Sequence, residues 1–234
     1  LRVLTWNLFH GRSLPASQQE LSQHFAAALA SWEWDVALLQ EVPPWWPAPL
    51  ALAAGAQQRT ALTSRNSALA LRRALAQRWP ELAKSNGGGA NAVLARASIL
   101  AHRALRLRTW PERRVAQLVR LEGGVCLANY HASSRVQAAE AELDALCEQA
   151  LRWAAGAPLI IGGDLNLRAP RAPGDGLAHI CARDVDHIFA RRFRARAPCR
   201  RLERDAQLGP RHVALSDHVP LLAELRVCEA HPSR

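Results

Sequence analysis

The stretch Ile160-Ile161-Gly162-Gly163-Asp164-Leu165-Asn166-Leu167 constrains this chain more than any other. A short apolar run, a Gly-Gly break and two polar residues two positions apart describe a buried strand and its end. Side chains at i and i+2 of an extended backbone share a face. Asp164 and Asn166 are therefore expected to project together, while Leu165 and Leu167 turn into the core. A charged acceptor beside an amide that both donates and accepts is a place for chemistry. α/β proteins often put theirs at strand ends. The same residues suit an Asx turn that satisfies only local backbone, and the stretch alone does not separate the two.

The pattern recurs. Val3 and Leu4 lie in a β-prone run that reaches Asn7 before Gly11 breaks it. Val36 to Leu39 reads as a buried strand, closed by Gln40 and Glu41 and ended by Pro43-Pro44. A carboxylate at the end of such a strand is expensive to bury unless a cation or a metal faces it. Ala116–Leu121 and Val125–Tyr130 flank the turn Glu122-Gly123-Gly124, and the second run stops at His131. Asp184 to Phe189 alternates polar and apolar, as a half-buried strand should, with Asp186 inside it. Asp217 and His218 precede a last strand, Leu221 to Val227.

Helices alternate with these strands. Ser17 with Glu20 has the form of a capping box opening an amphipathic helix that runs to Trp32. Residues 66–79 and Val136 to Ala154 also read as helices; Glu140, Glu142 and Glu148 are expected on the solvated face of the last. The alternation implies an α/β fold. The Gly-rich segment Asn86–Ala90 lacks the Lys-Ser/Thr of a nucleotide-binding loop and reads as a turn. Trp45 and Trp46 are expected to pack beneath a loop, with stacking on a base as the alternative.

Composition narrows the partners. The chain has a net charge of +10, and Lys84 is its only lysine. Nucleic acid is the first polyanion such a charge would suit, and an anionic membrane surface the second. Arg191, Arg192, Arg194, Arg196, Arg200, Arg201 and Arg204 form the densest candidate patch. The five cysteines contain no CxxC pair, which argues against a zinc module. Reduced thiols in a cytoplasmic protein are the expectation. The chain has no Met, so Leu1 reads as a processed terminus. No run approaches the ~20 apolar residues of a membrane span.

Trp6-Asn7, Leu39-Gln40-Glu41, Asn91-Ala92-Val93-Leu94, Asn129-Tyr130-His131, Gly163-Asp164-Leu165-Asn166, Asp186-His187-Ile188 and Ser216-Asp217-His218, in this order, resemble the endonuclease/exonuclease/phosphatase superfamily, the deoxyribonuclease-I-like enzymes. The resemblance spans about residues 2 to 227. It implies a four-layer α/β sandwich, two packed, mostly antiparallel mixed sheets flanked by helices, built as one domain over residues 1–234. It also implies roles. Glu41 would be the main Mg²⁺ ligand, with Mn²⁺ an acceptable substitute, Asn7 beside it and Asp217 near the ion. His218 would act as general base or acid, oriented by Asp186. Asp164 would position the attacking water. Asn166, His131 and Arg168 would contact the phosphate. A carboxylate partner for His131 is missing from residues 59–80, where related enzymes carry one.

The expected function is a Mg²⁺-dependent phosphodiesterase, most simply a nuclease acting on DNA or RNA as a monomer with no stable protein partner. A phospholipid or inositol-phosphate phosphodiesterase or phosphatase would use the same core, with Trp45-Trp46 as a lipid-contacting loop.

Overall fold

The computed structural model describes residues 1–64, 66–79, 89–171, 174 and 176–228. In chain order its elements are β1 (Arg2–Asn7), β2 (Ser13–Leu14), α1 (Ser22–Ser31), β3 (Val36–Val42), α2 (Pro47–Ala53), β4 (Gln57–Leu62), α3 (Leu69–Arg78) and β5 (Ala90–Ala95). There follow β6 (Ile99–Arg108), β7 (Arg114–Leu121), β8 (Cys126–His131), α4 (Val136–Ala154), β9 (Leu159–Asp164), β10 (Ala178–Arg183) and β11 (Asp186–Arg191). The last strands are β12 (Phe193–Ala195), β13 (Arg200–Arg201), β14 (Asp205–Leu208), β15 (Arg211–Leu215) and β16 (Leu221–Val227).

Two sheets dominate. One runs β12-β16-β1-β3-β5-β4, with β13 also on β16; the other runs β10-β11-β9-β8-β7-β6. Among the described residues, only β1 with β3 and β8 with β9 pair in parallel within them. A small third sheet holds β14, β15 and β2.

The period-two alternation of the strands divides the core. Val3, Val36, Leu38 and Val93 of the first sheet meet Val119, Leu127, Ile160 and Ile188 of the second in a layer between them. The opposite face of the first sheet, with Leu4, Trp6 and Leu39, is covered by Phe25 and Leu29 of α1 and Leu50 of α2. The outer face of the second, with Leu118, Tyr130 and Ile161, is covered by Leu143 and Leu146 of α4. This is a four-layer α/β sandwich. Among the described residues, no helix is long and apolar enough to cross a membrane.

The inter-sheet layer is not uniformly apolar. Gln40 Nε2 donates to Asn129 Oδ1 at 2.8 Å, and Asn129 Nδ2 donates to Gln117 Oε1 at 3.1 Å and to the carbonyls of Leu39 and Ala92. These side chains are fully buried and tie the two sheets together across the layer.

Several expectations change. Ser17 does not cap α1, which starts at Ser22; the Glu20 carboxylate instead accepts from Ser22 N and Oγ at 3.1 and 2.6 Å. β11 is buried on both faces rather than half-buried, because the other sheet covers one side and α4 the other. Asp184 sits outside it, at positive φ in the β10–β11 turn. Trp46 is buried against Phe25, with ring centroids 5.3 Å apart, and Trp45 packs half-buried on the same core, as expected for packing beneath a loop. Cys181 and Cys199 form a disulfide with Cα atoms 6.0 Å apart, against the expectation of reduced thiols throughout. The bond links β10 of the second sheet to the segment between β12 and β13 of the first. Most of the Gly-rich turn expected at Asn86–Ala90 lies outside the described residues.

Candidate active site

Strand direction assembles the site. The parallel pair β1 and β3 ends at the same edge, carrying Asn7 and Glu41 there; the parallel pair β8 and β9 delivers His131 and Asp164. β11 and β16 run antiparallel to β9 and β1, so they begin at that edge, with Asp186 opposite Asp164 and with Asp217-His218 leading into Leu221. Asn7, His131, Asp164 and Asp186 continue the alternation of Val3, Leu127, Ile160 and Ile188, which places them on the inter-sheet faces. The site is thus the open end of the layer between the sheets. The Gln40–Asn129–Gln117 network lies directly beneath it.

Two local irregularities aim the side chains. Leu39 pairs with Ala92 but Val42 with Ala90, so β3 carries one extra residue at Gln40–Glu41. Glu41 sits at φ 49°, a bulge that turns its carboxylate into the cleft. Gly163 lies at φ 144°, and a Cβ there would overlap the Tyr130 carbonyl. The close approach of β8 to β9 that sets His131 beside Asp164 therefore requires glycine.

The contacts cross from sheet to sheet. Asn7 Nδ2 donates to Asp164 Oδ2 at 2.9 Å. The same oxygen lies 3.5 Å from His131 Nε2 and 3.7 Å from His218 Nε2. His218 Nδ1 is 2.8 Å from Asp186 Oδ2. Glu41 Oε1 is 3.8 Å from His131 Nε2, and Glu41 Oε2 is 3.2 Å from Nε2 of His10, a residue that sequence reasoning did not single out. Asp164 Oδ1 accepts from Asn166 N at 3.0 Å, so the stretch forms an Asx turn while Oδ2 still faces the cleft. Asn166 Nδ2 donates to Ala132 O at 2.9 Å, which leaves its second N–H for another acceptor.

Supporting groups hold these residues. Trp6 Nε1 donates to His218 O at 3.1 Å, and Ser216 Oγ donates to Asn7 O at 2.6 Å. His187, fully buried, is 2.6 Å from Leu167 O through Nε2 and 3.1 Å from His179 Nε2 through Nδ1. It ties down the backbone just beyond Asn166. Glu142 is only 5% exposed, not on the solvated face of α4. Its carboxylate accepts from Tyr130 Oη at 2.6 Å, Ser133 N at 2.9 Å, Ser133 Oγ at 2.7 Å and Arg108 at 3.2 Å. That anchors the turn after His131. An acidic residue on a helix face carries no sequence sign of such burial.

Burial and charge set the protonation. Burial raises the Glu41 pKa, helped by the charges of Asp164 and Asp217 and opposed by His131 and His218. Burial lowers His131 against the pull of Asp164 and Glu41. Burial pushes Asp186 up to about 6, against the hydrogen bond from His218. Burial alone would lower His218; the hydrogen bond and charge of Asp186, then Asp164 and Asp217, outweigh it and lift His218 to about 9.

The cleft measures about 320 Å³ and is lined by Asn7, His10, Glu41, His131, Asp164, Asn166, Asp217 and His218, together with Thr63, Arg113 and Arg114. Every sequence-nominated residue except Asp186 and Arg168 lines it. Asp186 lies behind His218, and Arg168 is exposed outside the lining. The arginines of the cleft are Arg113 and Arg114, not the 191–204 series, whose β12 and β13 segments lie along β16. Arg114 pairs with Glu112 at 2.7 Å.

The Endonuclease/Exonuclease/phosphatase family profile matches residues 4–218. The chain belongs to this family. Its members are phosphoric ester hydrolases and generally use a divalent metal. Among solved structures, the chain resembles a family protein from Bacteroides thetaiotaomicron, with TM-score 0.74 and 16% identity over 100% of this chain and 97% of that one. It also resembles humanized D. rerio TDP2 (TM-score 0.65, 16% identity, 97% and 99% coverage). A third likeness is the mannosyl-6-phosphatase Bt3783 of B. thetaiotaomicron VPI-5482 (TM-score 0.65, 15% identity, 97% and 99% coverage). No curated protein sequence matches the chain.

Proposed function

We propose that the chain is a divalent-cation-dependent phosphodiesterase acting on nucleic acid, DNA first, as a single-domain monomer. The observation that carries this reading is the His218–Asp186 pair at 2.8 Å, with His218 Nε2 beside Asp164 in the cleft that Glu41 also lines. That arrangement combines a proton-transfer group, an anchored water-orienting carboxylate and an oxygen-rich cation site.

The residues fit a hard cation. Glu41, Asn7 and Asp217 line the cleft with carboxylate and amide oxygens, which suits Mg²⁺ or Mn²⁺. Among the described residues, the charge partners of Glu41 are the imidazoles of His10 and His131, not arginines. Asp164, Asp186 and His218 also cluster within 4.8 Å, but their closest contact is the His218–Asp186 hydrogen bond, so we read them as the proton-handling group. A bound cation would neutralise phosphate charge next to Glu41.

The chain's own groups do the rest. Asp164 Oδ2 orients the attacking water in line with phosphorus and takes its proton as the new P–O bond forms and the bond to the leaving oxygen breaks. His218, held protonated by Asp186, gives its Nε2 proton to the leaving oxygen. Asn166 and His131 donate to the non-bridging oxygens as charge builds there. Arg113 and Arg114 attract flanking phosphates, and the net charge of +10 favours a polyanion.

Nicking of supercoiled plasmid with Mg²⁺ tests this reading. Nicking that EDTA and His218→Ala both abolish is expected. No nicking of DNA or RNA by a folded protein that nonetheless hydrolyses a phospholipid or inositol phosphate would overturn the nucleic-acid assignment.

A further inference from the structure

Three residues in left-handed backbone meet at one contact. Phe9 and His10 have φ of 49° and 52°, and Glu41 has φ of 49°. None is glycine, and such conformations are unfavourable for ordinary side chains unless surrounding structure imposes them. The imposition here is visible. Phe9 N donates to Asn7 Oδ1, Gly11 N to Leu8 O and Leu8 N to Gln40 O, at 2.8 to 2.9 Å. Gly11 itself lies against the Trp46 ring, where a Cβ would clash. The turn 8–11 is thereby clamped between β3 and Trp46. Its outcome is His10 Nε2 placed 3.2 Å from Glu41 Oε2.

We propose that His10 is a positioning residue for Glu41. Its Nε2 holds Oε2 and so leaves Oε1 directed at the cleft, and it thereby sets the affinity of the site for a divalent cation. The inference rests on the cation reading above. Glu41 is half-buried, and among the described residues its other close charge partner is His131, 3.8 Å from Oε1. Without His10 the carboxylate is free to swing on a bulged backbone. Groups that hydrogen-bond a metal-binding carboxylate from behind commonly change metal affinity ~10–100-fold when removed. His10 also lines the cleft beside Gly89.

The test measures metal binding rather than turnover. Full-length protein stripped with EDTA and dialysed is titrated with MgCl₂, and the melting temperature is followed. His10→Asn and His10→Gly both tolerate positive φ, and neither reaches Glu41. Each is expected to need ~10–100-fold more Mg²⁺ for half the wild-type shift. His10→Gln, whose amide reaches as far as the imidazole, is expected to stay within about threefold of wild type. Unchanged Mg²⁺ dependence in His10→Asn and His10→Gly, with a responsive wild type, overturns the role of His10 alone. So does an equal loss in His10→Gln. A wild type that responds to neither Mg²⁺ nor Mn²⁺ overturns the cation reading, and the role of His10 with it.

Discussion

His218 Nδ1 lies 2.8 Å from Asp186 Oδ2, a pairing between residues 32 apart that joins the start of one sheet's strand to the loop before the other's. The hydrogen bond fixes which ring nitrogen faces the cleft. It also opposes the effect of burial, which would otherwise empty the ring of its proton. Asp186→Asn should therefore drop the His218 pKa well below its value of about 9, read from the imidazole Cε1 proton by NMR on metal-free protein. Turnover should fall ~10³–10⁴-fold, by analogy with other carboxylates that orient a catalytic histidine. A His218 titration unchanged in Asp186→Asn would refute the coupling.

Glu41 bears opposite consequences for stability and for binding. Its folded pKa lies above its unfolded one, so the ionised carboxylate opposes folding at neutral pH. That opposition disappears as pH falls below the unfolded value of ~4.3. Glu41→Gln is expected to melt higher than wild type at pH 7 without metal, and to converge with it in acid. It should also lose the Mg²⁺-dependent shift. Scanning calorimetry at both pH values, with and without Mg²⁺, checks each part; a lower melting point at pH 7 would contradict the argument.

Glu142 has the reverse sign. Burial raises its pKa, but the hydrogen bonds from Tyr130, Ser133 and Arg108 more than compensate, and the folded pKa is lowered. Its contribution is fully present above the unfolded pKa and is lost as pH falls through the folded one. Glu142→Gln is predicted to destabilise the protein by ~2–3 kcal/mol at pH 7, since it breaks a buried charge-assisted network. The difference from wild type should shrink below pH ~4. Urea unfolding at the two pH values measures it.

Gly163→Ala should be severe. The added methyl meets the Tyr130 carbonyl at a backbone angle that disfavours any Cβ. A loss of ~3 kcal/mol or more is expected, with parting of β8 from β9 and hence of His131 from Asp164. Gly124→Ala, at positive φ but with nothing near its Cβ, serves as the control and should cost ~1 kcal/mol. Equal losses in the two variants would show that the close strand approach is not the cause.

The sequence by itself determined the strand ends and the polar side chains they carry. Apolar runs stopping at Asn7, Glu41, His131 and Asp164 were legible because burial of a strand writes itself into contiguous residues. The helix expected over Val136 to Ala154 matches α4 residue for residue for the same reason. The order of motifs carried the family. Tertiary structure alone decided what those ends do together. Parallel pairing of β1 with β3 and of β8 with β9 puts four termini at one edge, and nothing local encodes the direction of a distant partner. The bulge at Glu41, the seat of His10, the buried carboxylate of Glu142 and the Cys181–Cys199 bond all depend on which surfaces meet. An Arg-rich run suggested a phosphate-facing patch, yet Arg113 and Arg114 line the cleft, because position relative to the site, not density of charge along the chain, is set by the packing of the two sheets.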